Sequence, residues 1–283
     1  MKKIGIVAKL MNPSALKFAA ELTAWLNGKG VAVYGDGELS RQIVSIKKAS
    51  REEIVDISEA LVVLGGDGTM LYAARLLGGK KIPIIGVNMG GLGFLTSVGM
   101  EDSYDCLEGL LKGDFETEER MMLLVRILRG GAEISQYRVL NDAVVRGAIA
   151  RLLRLTMRIN KEYVTTYRAD GLIISTPTGS TAYSLSASGP ILFPTIHSII
   201  IVPICPFNLT NRPVVVPEWM DVEVEVGSEH TNLTLDGQVD MPIRKGDTIE
   251  IKRAAECVYL VRCGRKSYFE VLRERLMWEP KVK

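Results

Sequence analysis

Leu61-Val62-Val63-Leu64-Gly65-Gly66-Asp67-Gly68-Thr69-Met70-Leu71-Tyr72-Ala73-Ala74-Arg75-Leu76-Leu77 puts an apolar run, a glycine turn and a helix-like stretch in immediate succession. Four apolar residues in a row read as a buried strand, and the stretch from Met70 onward reads as a helix. Three glycines let the backbone of the turn approach a ligand closely. The amides at the helix start form a seat for phosphate. Asp67 is the one carboxylate in the turn. An acid beside a phosphate seat is unfavourable unless it has a task, such as holding Mg²⁺ or taking a proton. The competing reading is a plain strand-to-helix turn with Asp67 or Thr69 as the N-cap.

Around this unit the first third of the chain alternates strand and helix signals. Lys3 to Ala8 is an apolar strand. Ser14 caps a helix running to about Asn27, with Leu16, Ala19, Ala20, Thr23 and Leu26 on one face and Gly28 beyond its end. Val31 to Tyr34 is a second short strand, and Gly35 to Ala49 carries no clear period and reads as a loop. Ser50 and Glu53 form a capping-box pattern ahead of a short helix. Ile82 to Val87 completes a βαβ unit, and Asp102 to Lys112 is a helix closed by Gly113. Such alternation specifies an α/β domain over residues 1–115, with a parallel sheet covered by helices on both faces. Ligands on such sheets bind at the carboxyl ends of the strands, where Gly65 to Thr69 lies.

Beyond Phe115 the signal changes. Leu123 to Leu128, Tyr137 to Val145, Arg154 to Asn160, Ile199 to Val202, Val222 to Val226, Thr231 to Leu235, Thr248 to Lys252 and Val258 to Arg262 are short strand-like runs. Gly130-Gly131 and Asp236-Gly237 read as hairpin turns. Residues 116–266 therefore form a β-rich domain. A last helical stretch, Phe269 to Trp278 within about 267–283, is placed to return to the first domain.

Composition narrows the class. The 283 residues are 47% hydrophobic and 24% charged with a net charge of +2, values of a soluble globular protein. Lys and Arg are spread along the chain, so neither nucleic acid nor a membrane surface is implied as a partner. No apolar run is long enough to span a bilayer, and Lys9 interrupts the start too early for a signal peptide. A cytoplasmic location is the expectation. Cys106, Cys205, Cys257 and Cys263 show no C-x-x-C spacing and are expected to be reduced. With His197 and His230 the only histidines, no His-built metal site is expected.

A second segment carries chemistry: Arg168-Ala169-Asp170-Gly171-Leu172-Ile173-Ile174-Ser175-Thr176-Pro177-Thr178-Gly179-Ser180-Thr181-Ala182-Tyr183-Ser184-Leu185-Ser186. A strand, Leu172 to Ser175, runs into a hydroxyl-rich turn and a helix start. Ser, Thr and Tyr side chains with backbone amides suit ribose hydroxyls, amides and phosphates. An elaborately capped helix is the bland alternative. Asn141-Asp142, a polar pair inside an apolar strand, reads by itself as a turn or bulge. Asp236-Gly237-Gln238 reads by itself as a hairpin turn. G-x-x-x-x-G-K-[ST] and a G-x-G-x-x-G after the first strand are both absent. Phosphate chemistry must run through the glycine turn of Asp67.

Together these segments resemble the NAD kinase family over nearly the whole chain. The match runs through Gly65 to Thr69, then Gly86-Val87-Asn88-Met89-Gly90-Gly91-Leu92-Gly93-Phe94-Leu95-Thr96 and Asn141-Asp142. It continues through Asp170-Gly171, Thr176 to Ser186, Asn211-Arg212-Pro213 and Asp236-Gly237-Gln238. Diacylglycerol, sphingosine and 6-phosphofructokinases share the glycine turn; the segment Thr176 to Ser186 is the specific one. The fold implied is an N-terminal Rossmann-like α/β domain followed by a β-sandwich-like C-terminal domain that binds NAD, assembled as a homodimer or homotetramer. The reaction implied is phosphoryl transfer from ATP, with Mg²⁺ or another divalent cation, to the 2′-hydroxyl of the adenosine ribose of NAD. By motif position Asp67 is the general base, and Gly65, Gly66, Gly68 and Thr69 hold ATP phosphates. Asn141 and Asp142 hold ribose and adenosine groups. Asp170 with Thr181, Ala182, Tyr183, Ser184, Leu185 and Ser186 contacts the dinucleotide, as do Arg151, Arg168 and Gln238, Arg151 being aligned by spacing alone.

The sequence departs from the family pattern at Phe207, where a His is usual, at Ser188 before Gly189-Pro190, and at Asp142, where Glu is commoner. Two rivals stand beside this reading, a lipid kinase of the diacylglycerol type and a non-catalytic NAD(P)-binding regulator. Met70-Leu71-Tyr72 lacks the Glu that lipid kinases carry after the turn, and a regulator would have lost Asp67 or its glycines.

Overall fold

The computed structural model describes residues 1–283 except 97, 264, 265 and 279–283. Two compact units result, one from Met1–Glu119 with Val258–Lys283, the other from Arg120–Cys257. In the first, β1 (Lys3–Ala8), α1 (Pro13–Gly28), β2 (Ala32–Gly35), α2 (Gly37–Gln42), β3 (Lys47–Lys48) and α3 (Arg51–Ile57) precede the glycine turn. β4 (Ala60–Gly65), α4 (Asp67–Leu76), β5 (Pro83–Asn88) and α5 (Ser103–Lys112) follow. The strands pair in parallel in the order β5-β4-β1-β2-β3. Every residue of β4 is buried, as a central strand with both faces covered must be. Phe18, Leu22 and Leu26 of α1 share one core with Ile4, Ile6, Val62 and Ile85.

From β1 the chain first builds outward to β2 and β3, then crosses back to β4 on the other side of β1. The sheet's switch point therefore falls between β1 and β4, and crevices at the carboxyl ends of strands form there. The Gly65–Thr69 turn leaves β4 at that end.

Local differences from the sequence reading have physical causes. α1 starts at Pro13, capped by Asn12, whose side chain accepts the Ser14 N–H; proline at the first helical position needs no partner for its missing donor. The expected loop 35–49 holds α2 and β3. Asp36 caps α2 by accepting the amides of Glu38 and Leu39, and six residues are too few to show a helical period. The capping box of Ser50 and Glu53 forms as expected.

The second unit is a sandwich. β6 (Thr117–Arg129), β7 (Ala132–Val139), β8 (Asp142–Gly147), β9 (Leu153–Ile159), β10 (Glu162–Ala169) and β11 (Gly171–Ser175) lead to a 3₁₀ turn, Thr178–Thr181, and the short α6 (Tyr183–Ser186). β12 (Ser198–Ile204), β13 (Val214–Pro217), β14 (Val222–Val226), β15 (Thr231–Leu235), β16 (Val239–Ile243) and β17 (Thr248–Val261) follow. One sheet is ordered β13-β12-β11-β8-β15-β16 and is antiparallel throughout. β10, β9, β14 and β17, with β6 and β7, form the other. Val145, Leu172, Ile174 and Leu233 from the first pack on Leu123, Leu155, Val224 and Ile249 from the second in one apolar core. The outer face of β11 and β12, with Ile173, Ile200 and Val202, is covered by Ala187 and Leu192.

The expected strand Tyr137 to Val145 is broken at Leu140-Asn141, and its halves enter different sheets as β7 and β8. The expected strands at 248–252 and 258–262 are a single one, within which Arg253 and Glu256 form ion pairs with Glu218 and Arg138. The last residues of β17, Tyr259 and Leu260, lie in the first unit and pair in parallel with β5. α7 (Tyr268–Leu276) belongs there too, so the chain returns at Val258 rather than near 266. Cys106 and Cys263, expected to be reduced, are joined in a disulfide with Cα atoms 5.4 Å apart; partners so distant in sequence leave no spacing signal. Cys205 and Cys257 are not in disulfides. Among the described residues no helix is long and apolar enough to cross a membrane.

Candidate functional site

The first unit contributes the glycine turn. A Cβ on Gly65 would stand 2.3 Å from Thr69 Oγ1, so the turn closes only with glycine there. Gly66 is the N-cap of α4 and offers no side chain to its amides, leaving the positive end of the helix open to an anion. Asp67, at the first position of α4, turns its carboxylate onto a second loop. Oδ2 accepts the Phe94 amide at 2.9 Å. Oδ1 accepts the Leu95 amide at 2.9 Å, with the Thr96 amide at 3.3 Å and hydroxyl at 3.4 Å. Gly93 makes this seat possible, since a Cβ there would stand 2.2 Å from Asp67 Oδ1. Asn88 holds the loop from below: its amide donates to the Gly91 and Thr96 carbonyls, and its oxygen accepts the Gly90 N–H at 2.7 Å. The Arg275 guanidinium of α7 lies 5.8 Å from the Phe94 ring centre.

Beside the turn, at the switch point, opens a cleft of about 300 Å³. Ala8, Asp36, Arg51, Gly68, Thr69 and Tyr72 are among its walls. Arg51 lies 5.4 Å from the Tyr72 ring centre and 4.0 Å from Asp36. Burial, more than the neighbouring Arg51 can offset, pushes the Tyr72 phenol above its usual range. None of Asp36, Arg51 or Tyr72 is given a site role by the sequence, and Asn88 enters there only as part of the Gly86 to Thr96 match. Asp36 follows a strand as the acid of a ribose-binding turn does, a signal hidden by reading 35–49 as a loop.

In the second unit a pocket of about 310 Å³ is lined by Asn141, Asp142, Arg146, Ala182, Tyr183 and Asp236, among others. Asp142 is 4% exposed. Burial first, and then the charge of Asp236, push its carboxyl up to about 7, against a smaller opposing effect of the Tyr183 amide. The hydroxyls of the Ser175–Thr181 turn, expected to face a ligand, mostly serve the turn itself. Ser175 Oγ donates to Asn141 O at 3.0 Å, Thr176 Oγ1 donates to Leu140 O at 2.6 Å and accepts the Gly179 amide. Ser180 is bonded to Leu192. Gly179 packs so closely on Asn141 O that a Cβ would stand 2.3 Å away. What the turn presents to the pocket is Ala182 and Tyr183; Ser184 is buried, while Thr181, Leu185 and Ser186 do not line it.

Other expected residues stand elsewhere in this unit. Asp142 pairs across the sheet with Ser175, whereas Gly171, which follows Asp170, pairs with Arg146. Asp170 thus lies beyond the opposite end of the β8–β11 pair from Asp142, roughly 17 Å away along the strands. Arg168 and Arg151 are exposed and outside the pocket. Phe207, in the place of the usual His, lies 4.9 Å from the Arg168 guanidinium and donates its amide to the Arg168 carbonyl at 2.8 Å. Gln238 is exposed past the β15–β16 turn, outside the pocket lining.

An open helix N-terminus at the switch point of a parallel sheet is how nucleotide-dependent phosphotransferases hold phosphate, and the antiparallel second unit narrows the class further. Residues 4–115 match the ATP-NAD kinase N-terminal domain, and residues 140–263 match the ATP-NAD kinase C-terminal domain. The chain belongs to the NAD kinase family. It is 48% identical over 281 residues to the NAD kinases of Geotalea daltonii and Geobacter sulfurreducens, covering 98% of this chain and 99% of each relative. An Archaeoglobus fulgidus NAD kinase solved in complex with ATP is 25% identical, with a TM-score of 0.77, over 96% of this chain and 99% of that one. A yeast NADH kinase solved with NADH superposes with a TM-score of 0.92 at 24% identity, over 100% of this chain and 89% of that one, and supports the fold. The family match sets the lipid-kinase alternative aside.

Proposed function

We propose that the chain makes NADP by moving the γ-phosphoryl group of ATP to the 2′-hydroxyl of the adenosine ribose of NAD, with Asp67 as general base. The observation that carries this role is the unequal loading of the Asp67 carboxylate. Among the described residues Oδ1 takes three donors and Oδ2 one, and a carboxylate oxygen has two lone pairs. Oδ2 is the oxygen left to take the hydroxyl proton as the ribose oxygen bonds to phosphorus. The bond from the γ-phosphorus to its bridging oxygen breaks, and ADP leaves with that electron pair. The loop amides hold the base still, which is where a poor nucleophile gains most.

Gly65, Gly66, Gly68 and Thr69 seat the triphosphate. The cleft beside them supplies Arg51 and Tyr72 for the nucleoside and Asp36 for its ribose, which favours a nucleotide over polyphosphate as donor. Among the described residues no group of three or more His, Cys, Asp or Glu side chains is gathered to bind a metal. One acid, Asp67, beside a phosphate seat suits Mg²⁺ brought in on ATP, since that ion keeps waters and phosphate oxygens as ligands. When bound it neutralises charge on the β- and γ-phosphates. Asn141, Asp142, Ala182 and Tyr183 hold NAD. Asp170, Arg151 and Arg168, at the far end of β8 and β11, serve the dinucleotide bound to a second copy of the chain, which makes the working unit a homo-oligomer.

NADP formation from ATP, Mg²⁺ and NAD by purified protein tests this, read with an NADP-specific dehydrogenase. Asp67→Asn is expected to bind NAD normally and to lose at least about 100-fold in kcat. Near wild-type turnover in the variant would exclude Asp67 as the base.

A further inference from the structure

Asp236 has no part in the roles assigned above, yet its carboxylate is fully engaged. It lies at the tip of the β15–β16 hairpin with φ +50°, 7% exposed. Its carboxylate accepts three successive backbone amides from a segment far away in sequence. These are Leu140 at 3.0 Å, Asn141 at 2.7 Å and Asp142 at 3.1 Å. Its own amide donates to the Asp142 carbonyl at 2.9 Å. On the opposite side Ser175 and Thr176 donate to the carbonyls of Asn141 and Leu140. The dipeptide that points into the pocket is held by its backbone from both sides, and of its side chains Asp142 is met by the Tyr183 amide.

We infer that Asp236 is a positioning residue for the dinucleotide: its carboxylate fixes the Leu140–Asp142 backbone and so sets where the Asn141 and Asp142 side chains meet NAD. This rests on the reading that Asn141 and Asp142 hold NAD. A buried carboxylate costs free energy that a simple turn residue would not spend, and three charge-assisted bonds to one dipeptide and its neighbour offset it.

A second effect separates positioning from mere support. The groups facing Asp142 are Asp236 from the hairpin, Arg146 of its own strand and the Tyr183 amide of α6; Arg146 is paired with Asp240 of β16 at 3.0 Å. Its pairing partner on β11, Ser175, is not ionisable. Asp236 is thus the one charge that resists ionisation of Asp142. Ribose hydroxyls donate, so the ionised form of Asp142 accepts them better. NAD affinity should rise as pH rises through about 7, where the Asp142 carboxyl titrates.

NAD binding to the full-length protein is measured by calorimetry from about pH 5.5 to about pH 8.5, with kinetics for both substrates, on wild type, Asp236→Asn, Asp236→Glu and Asp142→Asn. Asp236→Asn should weaken NAD binding about tenfold at high pH, as loss of a charged acceptor does, and leave the KM for ATP unchanged. Its affinity should also reach its plateau at lower pH than in wild type, because the opposing charge is gone; Asp236→Glu should keep the wild-type midpoint. Unchanged NAD affinity in Asp236→Asn, or an equal rise in both KM values with no shift of midpoint, overturns the inference. If Asp236→Asn does not fold, wild type alone decides: an NAD affinity flat across this range overturns it. Asp142→Asn keeps the two readings apart. Wild-type affinity and pH profile in that variant would remove Asp142 from the NAD site. A loss there with none in Asp236→Asn would remove only the positioning role.

Discussion

In the first unit the Asp67 carboxylate gathers the amides of Phe94, Leu95 and Thr96, and in the second the Asp236 carboxylate gathers those of Leu140, Asn141 and Asp142. The device is the same; the surroundings are not. Asp67 is half-buried at the open end of a helix, with no second acid among its bonded partners. Asp236 is buried with Asp142 beside it in one pocket. In the proposed reaction the first arrangement has one side chain both anchor a loop and accept a proton. The second, as inferred above, divides the work, so that one acid holds the backbone and its neighbour is left to meet the ligand. A phosphate seat tolerates a single half-buried acid, while a ribose pocket can bury two if one of them is neutral over part of the pH range.

The largest effect expected from this comparison comes from mixing crippled subunits. Asp67→Asn disables the first arrangement and Asp170→Ala the contact proposed to be lent to another copy, and each alone should be nearly inactive. Dissociated, mixed and reassociated, the two should recover roughly a quarter of wild-type activity, from random pairing of subunits with one intact site in each mixed pair. Recovery of nothing would mean that Asp170 serves the dinucleotide bound to its own chain.

A smaller effect sharpens the role of the loop. Gly93→Ala would force a Cβ onto Asp67 Oδ1, whereas Gly66→Ala meets no atom within 4 Å. Gly93→Ala is expected to cost about 100-fold in kcat by displacing the base. Gly66→Ala should mainly raise the KM for ATP. Equal kinetic damage from both would mean that the loop is not what positions Asp67.

The smallest expected effect is on stability. The Asp142 carboxyl is raised in the folded state from 3.8 to about 7. Its contribution to stability is therefore complete below about pH 4 and lost as pH rises through about 7. Asp142→Asn should match wild type near pH 4 and become the more stable of the two by pH 8, by on the order of 4 kcal/mol at most. Thermal melting across that range reads it, and a constant difference would show that Asp142 is ionised throughout.

The strand–turn–helix around Asp67 was legible because all its parts are contiguous: an apolar run, glycines that a packed turn requires, and a helix start. Gly113, with φ +81°, and the Gly130-Gly131 and Asp236-Gly237 turns, all at positive φ, were legible for the same reason. What the Asp236 side chain does was not. Its partners lie 94 to 96 residues away, and an Asp-Gly hairpin has sufficient local cause. The hydroxyl-rich turn was read as ligand-facing because its composition suits ribose, but composition carries no direction, and Ser175, Thr176 and Ser180 face inward to hold the chain. The break at Leu140-Asn141 was visible only as a polar pair; that its two sides enter different sheets depends on bonds from two remote turns.

The order of segments along the chain has a bearing on synthesis. The second unit is one uninterrupted stretch, but the first is assembled from both ends of the polypeptide. On the ribosome, β5 stays an open edge until Tyr259 and Leu260 emerge to pair with it. Open edges invite wrong partners. The strand segment that covers the edge of the glycine-turn sheet is therefore made only after every residue of the inserted unit.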